Sequence, residues 1–432
     1  MKNQKLPSLD ILQRSFIADL HIHSKFSRAS SKNMDPKTLS KVGKLKGIQL
    51  IGTGDFTHPL YLKELKEYLE YEPESGFYFV KGEDSELRFV PSAEISLIFS
   101  QDNKSNRRMH LILLAPDFEV VEEINLYLSK LGNLSSDGRP TFGISAERLT
   151  LDLVSISPYI LIIPAHAWTP WYSLFGAFSG FDSIEEAFGE ATPYIYAIET
   201  GLSSDPEMNW RISRLDGITL LSNSDAHSPW KIGREATAFF YPFSFENLYQ
   251  SIKKGQIAYT IEFYPEEGKY HLDGHRTCKV VLTPKETKEL GYKCPKCGQN
   301  LTIGVLHRVE ILADRPEEYH PHDKPYSVHL VPLMEIMAQV FDLNLNSKTL
   351  ERLYVEYVTR VGTEFDILLK KDLQELASKL PETLVLAINK VRNGQVFLKG
   401  GYDGVYGEVK IFENFSGEER TFFKQKSIFP LG

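Results

Sequence analysis

Six of the twelve histidines fall in the first 250 residues, and each lies in a short motif that reads as the end of a β-strand. His21 and His23 stand two apart in Ala-Asp-Leu-His-Ile-His-Ser, and His58 follows Asp55 in Gly-Asp-Phe-Thr-His-Pro. His110 opens His-Leu-Ile-Leu-Leu, His166 sits in Pro-Ala-His-Ala-Trp, and His227 follows Asp225 in Ser-Asp-Ala-His-Ser. Residues two apart on a strand share a face, so His21 with His23, and Asp225 with His227, each project as a pair. Glu94 and Glu199 place carboxylates at the ends of comparable runs. Neutral imidazole is the commonest metal-ligand side chain, and imidazole mixed with carboxylate suits first-row divalent ions. A lone strand-end histidine is more often structural. Six of them with interleaved carboxylates make a metal centre the better reading. The expected ligands are His21, His23, Asp55, His58, Glu94, His110, His166, Glu199, Asp225 and His227. Glu199 has two alternatives, contact with substrate or with the back of a ligating histidine. Divalent ions (Zn, Mn or Mg) held there would activate a water for hydrolysis, with Asp225, His227 and Glu94 as the catalytic residues.

The three cysteines form a second constellation. Cys278, fifteen residues, then Cys294-Pro-Lys-Cys297-Gly has the spacing of a structural zinc knuckle, with His275 as the expected fourth ligand and His271 or His307 as alternatives. Such a site contributes folding free energy and no chemistry. So few cysteines exclude a disulfide framework.

These residues need elements to position them. Up to about residue 255, apolar runs alternate with helical stretches. The candidate strands are Phe16–Leu20, Gln49–Thr53, Ala93–Phe99, Met109–Ala115, Ile160–Pro164, Ile195–Glu199, Ile218–Ser222 and Ala236–Tyr241. Pro36–Lys46, Leu60–Tyr71, Val120–Leu131 and Phe245–Lys254 read as helices. The alternation predicts an α/β fold with βα units around a parallel sheet or barrel. Three domains are expected: a barrel over 1–260, a zinc module over 261–313, and a mainly helical C-terminal domain over 314–432. Helical periodicity is expected from Pro332 through Val340, then over Lys348–Val361, Leu368–Leu380 and Leu384–Arg392, with an extended tail from Gly400.

The chain of 432 residues has ordinary globular composition, 42% hydrophobic and 25% charged. No run is long and apolar enough for a membrane span and the N-terminus has no signal-peptide core, so a cytoplasmic location is expected. Net charge is −8. Most of it lies in residues 1–260, where bound divalent ions would offset it, so the balance does not exclude nucleic acid.

The order of His21-Ile-His23, Asp55 with His58, Glu94, His110, His166 and Asp225-Ala-His227 resembles the PHP (polymerase and histidinol phosphatase) superfamily over roughly residues 15–260. That resemblance implies a distorted (β/α)7-type barrel holding a two- or three-metal phosphoesterase site, with Glu94 bridging two ions. The chain departs from many members in lacking a histidine within Lys25–Ser31. Further on, Asp-Gly-His275-Arg-Thr-Cys278, Cys294-Pro-Lys-Cys297-Gly, Leu301-Thr-Ile-Gly-Val-Leu-His-Arg-Val-Glu and Gly401-Tyr-Asp-Gly-Val-Tyr-Gly407 are similar to the endonuclease Q family across nearly the whole chain. Membership implies a DNA-repair endonuclease that cuts on the 5′ side of deaminated bases (uracil, hypoxanthine, xanthine) and abasic sites, with a helical C-terminal domain clasping DNA. The alternative is a small-molecule phosphomonoester phosphatase on the same barrel.

Trp168, Trp171, Tyr172 and Phe175 directly follow His166, where aromatics either stack on a base or cap the core. Tyr402 and Tyr406 lie in a glycine-rich turn that permits close approach of a ligand. These six are the candidate substrate-binding residues. Lysines around the zinc module either meet phosphates or form a solvated face. The expected partner is damaged DNA. A replication or repair factor is a further candidate partner, for which Phe422-Phe423 would be the anchor unless, as is the better reading, the pair packs on the core, and the sequence leaves the oligomeric state open.

Overall fold

The computed structural model describes residues 4–83, 85–101, 104–322 and 324–413; the Phe422-Phe423 pair lies outside them. All eight expected strands form. Ser15–Asp19 is buried along its whole length, around the apolar run Phe16–Ala18. It pairs in parallel with Leu50–Gly52, which pairs in parallel with Arg88–Val90. On its other side it runs antiparallel to Ala236–Phe240, followed by Ile257–Glu262. A second sheet holds the hairpin of Ser92–Gln101 and Lys104–Leu114, flanked by Thr141–Phe142 and Leu161–Pro164. Ala197–Glu199 and Thr219–Leu221 make a third, parallel pair.

The barrel is therefore divided into sheets and does not close as one ladder. The seams have local causes. Pro91, which has no N–H, separates Arg88–Val90 from Ser92–Gln101, and the chain passes there from the first sheet to the second. The second and third sheets touch through the bond from Ala167 N to Glu199 O (2.9 Å). At the third seam the Thr237 hydroxyl bonds both Ser222 N (2.9 Å) and Ser222 O (3.0 Å), so a side chain stands in for a ladder. The hairpin is antiparallel because its connection is far too short for the crossover that a parallel pair needs.

The helices obey their capping signals. Pro36–Lys46 starts on Asp35, whose carboxylate accepts from Thr38 N, and stops at Gly47 in the left-handed region (φ 86°). Phe245–Lys254 starts on Ser244 and ends at Gly255 in the same way. The expected Leu60–Tyr71 helix is instead Pro59–Tyr68, followed by a strand over Leu69–Glu72 that pairs with Phe77–Val80. The aromatic, β-prone Phe-Tyr-Phe-Val run wins that segment for the sheet.

Beyond residue 260 the hairpin of Asp273–His275 and Val280–Leu282 carries the cysteine module. Tyr326–His329 then returns to the first sheet, parallel to Ile257–Glu262. Helices over Leu333–Phe341, Lys348–Val361 and Glu382–Arg392 follow. The expected Leu368–Leu380 helix is divided into a π-helical turn, Asp366–Lys370, and a new helix, Leu373–Ala377, because Asp372 caps the second and so ends the first. The tail pairs Phe397–Lys399 with Glu408–Lys410. One apolar core joins the helix face of Leu39 and Val42 to Tyr354 and Ile388 of the C-terminal region. Buried Lys46 pairs there with Glu364 at 3.1 Å. Among the described residues no helix is long and apolar enough to cross a membrane.

Candidate metal centre

The strand ends converge on Glu94, which is almost wholly buried. Ligand atoms of His21, His23, Glu94 and Asp225 lie within 4.8 Å of one another, and those of Glu94, His110 and His166 form a second such group. Glu94 belongs to both, the position a bridging carboxylate must take. Its Oε2 lies 3.0 Å from His23 Nε2 and 3.6 Å from His21 Nε2. Its Oε1 lies 2.7 Å from His110 Nδ1 and 3.0 Å from His166 Nε2. Asp225 Oδ1 is 3.2 Å from His23 Nε2 and 3.8 Å from His21 Nε2.

These atoms pass a direct test of fitness for a cation. His21 Nε2, His23 Nε2 and Asp225 Oδ1 are buried without a hydrogen-bond partner. Buried polar atoms are rarely left so. Two imidazole nitrogens and a carboxylate oxygen facing one small space are what a divalent ion takes as ligands. Burial lowers the pKa of His110 to about 4 against the pull of Glu94, which keeps that imidazole neutral and able to coordinate. Burial would raise Glu94, but the close contact with His110, the Arg139 guanidinium and the bond from His166 hold it well below the ordinary carboxylate range.

Other candidate residues stand around this core. Asp55 Oδ1 lies 3.2 Å from His23 Nδ1, and its Oδ2 accepts from Ser24 N (2.7 Å), Ser24 Oγ (2.6 Å) and Ser27 Oγ (2.8 Å). Glu199 accepts from His21 Nδ1 (3.0 Å), from His166 N (2.7 Å) and from Asn223 Nδ2 (3.1 Å). Both carboxylates thus grip imidazoles from behind and fix which nitrogen faces inward. His58 stacks on Phe26 (4.3 Å), beside the ligand groups and outside them. His227 packs its ring on His23 (4.3 Å) and bonds Asp225 O through Nδ1 (3.1 Å). Asp55, His166 and Asp225 all adopt left-handed backbone (φ 43°, 32° and 47°). Non-glycine residues seldom do so, and such conformations gather at functional sites.

The aromatic loop divides in two. Trp168 and Phe175 pack together in the core (4.7 Å), with the indole N–H donated to Asn209 Oδ1 (2.8 Å). Their faces are covered, so they support the loop and offer no stacking surface. Trp171 is 40% exposed and stacks on Phe178, itself 51% exposed (4.7 Å, 15°), with Tyr270 edge-on (5.4 Å). Tyr172 lies over His110 (4.9 Å). Exposed Tyr406 carries Lys269 above its ring (4.5 Å), and Tyr402 sits against Gly274.

His275, Cys278, Cys294 and Cys297 form a third group with ligand atoms within 4.8 Å of one another. Neither alternative histidine joins it: His307 pairs with Asp273, and His271 is buried elsewhere. Backbone N–H groups of Lys296 and Cys297 lower the Cys294 thiol to about 6 although burial opposes them, which favours the thiolate a metal needs. Lys288 pairs with Glu310, Lys293 with Asn300, and Lys296 with Cys278 O, so those lysines serve the local fold.

Sequence reasoning missed Arg139, whose Nη1 reaches Glu94 Oε2 at 2.9 Å. It also missed Ser24, Ser27 and Asn223, which orient the ligands, and Phe178. The Asp-Gly-Arg-Pro turn was a usable signal for Arg139; the others had none.

A family model described as PHP-associated matches residues 207–257, and one described as the MJ0043 C-terminal domain matches residues 332–395. The uncharacterised protein MJ0043 of Methanocaldococcus jannaschii is 33% identical over 252 residues, which are 56% of this chain and only 31% of that protein. The uncharacterised protein YqxK of Bacillus subtilis is 30% identical over 414 residues, 92% of this chain and 100% of its own. Among solved structures, the lesion-specific endonuclease PfuEndoQ from Pyrococcus furiosus matches with a TM-score of 0.81 and 34% identity, over 92% of this chain and 96% of that one. Endonuclease Q bound to a 27-mer duplex with an abasic lesion at the active site matches with a TM-score of 0.80 and 34% identity, over 92% and 97%. With its ligand clusters on a PHP barrel and this likeness along nearly its full length, the chain belongs to the endonuclease Q family.

Proposed function

We propose that this protein is a metal-dependent DNA repair endonuclease that hydrolyses the phosphodiester on the 5′ side of deaminated bases and abasic sites. The observation that carries the reading is the set of buried, unpartnered ligand atoms around Glu94, in a chain that follows endonuclease Q over 92% of its length. Two or three divalent ions, when bound, supply Lewis-acid activation of water and of the phosphoryl oxygens. His21, His23, Glu94, Asp225, His110 and His166 would hold them. Asp55 and Glu199 keep His23 and His21 in the tautomer that presents Nε2 inward. Trp171 and Phe178 offer a flat apolar face on which an unstacked base can rest, each stack worth about 1–3 kcal/mol. Residues 261–313 would carry a structural zinc on His275, Cys278, Cys294 and Cys297, and the C-terminal helices between residues 333 and 392 would clasp the DNA. A cytoplasmic location is consistent with such an enzyme.

The test is a nicking assay on end-labelled duplexes bearing one uracil, hypoxanthine, xanthine or abasic site, in Mg²⁺, Mn²⁺ or Zn²⁺. An undamaged duplex and the Asp225→Asn variant serve as controls. Cleavage 5′ to the lesion, abolished in the variant, is the expected outcome. Metal-loaded protein that leaves every duplex intact while hydrolysing a small phosphomonoester would overturn the reading.

A further inference from the structure

Arg139 is held at the metal centre by a loop built to put it there. Gly138 N donates to Phe26 O (3.1 Å), Thr57 Oγ1 donates to Gly138 O (3.1 Å), and Ser96 N donates to Pro140 O (2.9 Å). A Cβ on Gly138 would lie 2.3 Å from both Asp55 Oδ2 and Ser27 Oγ, so the backbone is wedged against the residues that orient His23. From this anchored position the guanidinium reaches Glu94 Oε2 at 2.9 Å, the oxygen that His21 and His23 also face, and comes within 3.5 Å of His110 Nδ1. About a third of the Arg139 side chain (32%) remains exposed.

Arginine has no lone pair and cannot be a metal ligand. Its charge therefore occupies Glu94 in competition with any divalent ion. A cation that takes over Glu94 leaves the guanidinium beside the ions, without its partner and open to solvent. Its planar fork suits the paired oxygens of a phosphate. Resting on the endonuclease reading above, we propose that Arg139 grips the scissile phosphate, and that its release from Glu94 couples metal loading to DNA binding. Such coupling is reciprocal: metal tightens DNA, and DNA tightens metal to the same degree.

The experiment compares wild type with Arg139→Met and Arg139→Lys. Mn²⁺ affinity of the DNA-free protein is measured by competition with a chelating dye. Removing the competing charge should tighten Mn²⁺ binding in Arg139→Met, by about tenfold for a lost charge-assisted contact. DNA affinity in Mn²⁺ is read by stopped-flow anisotropy before turnover, on an abasic duplex with an ordinary phosphodiester or a neutral methylphosphonate at the linkage 5′ to the lesion. Arg139→Met should bind the phosphodiester about tenfold more weakly than wild type, and both should bind the methylphosphonate alike. Arg139→Lys, which keeps the charge and loses the fork, should fall between. Equal losses on the two linkages, or Mn²⁺ binding no tighter in Arg139→Met, overturn the proposal. If wild type neither binds nor nicks lesion duplexes, the endonuclease reading fails and this inference with it. If wild type nicks and Arg139→Met matches it throughout, only this inference fails.

Discussion

Substituting Glu199 by Gln separates two roles that a strand-end carboxylate can play. Glu199 is fully buried and accepts from three donors: His21 Nδ1, shared between both oxygens (3.0 and 3.1 Å), Asn223 Nδ2 to Oε1 and His166 N to Oε2. A glutamine has the same shape, one acceptor oxygen and an NH₂. With its oxygen toward His21, the NH₂ meets the His166 N–H, leaving a buried donor unsatisfied at a cost of about 1–3 kcal/mol. With the amide flipped, the oxygen keeps His166 N and one of its two contacts with His21 Nδ1, while the NH₂ meets the Asn223 NH₂ and crowds the His21 N–H. Either way the ligand nitrogen is worse presented. Loss of such an orienting partner costs about ten- to a hundredfold in metal affinity, or about 1.4–2.7 kcal/mol.

The assay is equilibrium metal content by elemental analysis, with Mn²⁺ titration of chelator-stripped protein. Glu199→Gln should reach wild-type stoichiometry at saturation, with the affinity lowered as above. Nicking should recover when Mn²⁺ is raised in proportion. A permanently lost equivalent would make Glu199 a direct ligand. Wild-type affinity would remove it from the centre altogether.

Other perturbations read other parts of the molecule. Trp168→Ala should destabilise the protein by about 3–5 kcal/mol in denaturant unfolding, because a fully buried indole leaves a cavity. Trp171→Ala should leave the unfolding midpoint nearly unchanged and weaken binding to abasic duplex by about ten- to a hundredfold, the worth of one stack; the reverse pattern would refute the division of the loop. Chelation of zinc-loaded protein should expose three cysteine thiols to a colorimetric reagent and lower the melting temperature; thiols already reactive before chelation would deny the zinc knuckle. His329 is pushed up to about 9: burial opposes its charge, but the bond to Asp205 at 3.2 Å outweighs burial. A histidine raised in the folded state adds stability that is whole below about pH 6.5 and is lost as pH climbs through 9. Between those limits unfolding free energy should fall by at most about 3 kcal/mol. His329→Gln should flatten that slope, measured by urea denaturation at each pH.

The most legible part of the site was the part governed by strand periodicity. His21 and His23 were readable as a pair because the strand alternates with period two, and both face Glu94. The same argument applied to Asp225 and His227 meets a backbone that no longer alternates. Asp225 lies in the left-handed region, so its carboxylate enters the cluster while His227 turns aside onto the His23 ring. Trp168 and Trp171 are equivalent in a sequence, and only packing tells a core indole from a surface one. The barrel strands were legible as apolar runs, but their division into sheets depends on Pro91 and the Thr237 hydroxyl, which carry no periodic signal. Arg139 lies in a loop about 45 residues from Glu94, and no local pattern links two such positions.

The charges at the centre explain why so many positive groups surround it. Glu94, Asp55, Glu199 and Asp225 lie in or beside one small space, three of them almost wholly buried. Carboxylates so placed are costly unless paired. His21 lies against Glu199, His23 against Asp55, and His110, His166 and the Arg139 guanidinium against Glu94. The pairing is imperfect, since His21 Nε2, His23 Nε2 and Asp225 Oδ1 have no hydrogen bond. Burial opposes charge on His21 and His23, yet the neighbouring carboxylates raise both well above the ordinary histidine range. A divalent ion satisfies the carboxylates and the imidazole lone pairs together, and it must displace those protons to bind. Metal binding to this centre is therefore proton release as well as charge neutralisation. Of the positive groups beside these carboxylates, the Arg139 guanidinium alone cannot give up its charge to an incoming ion.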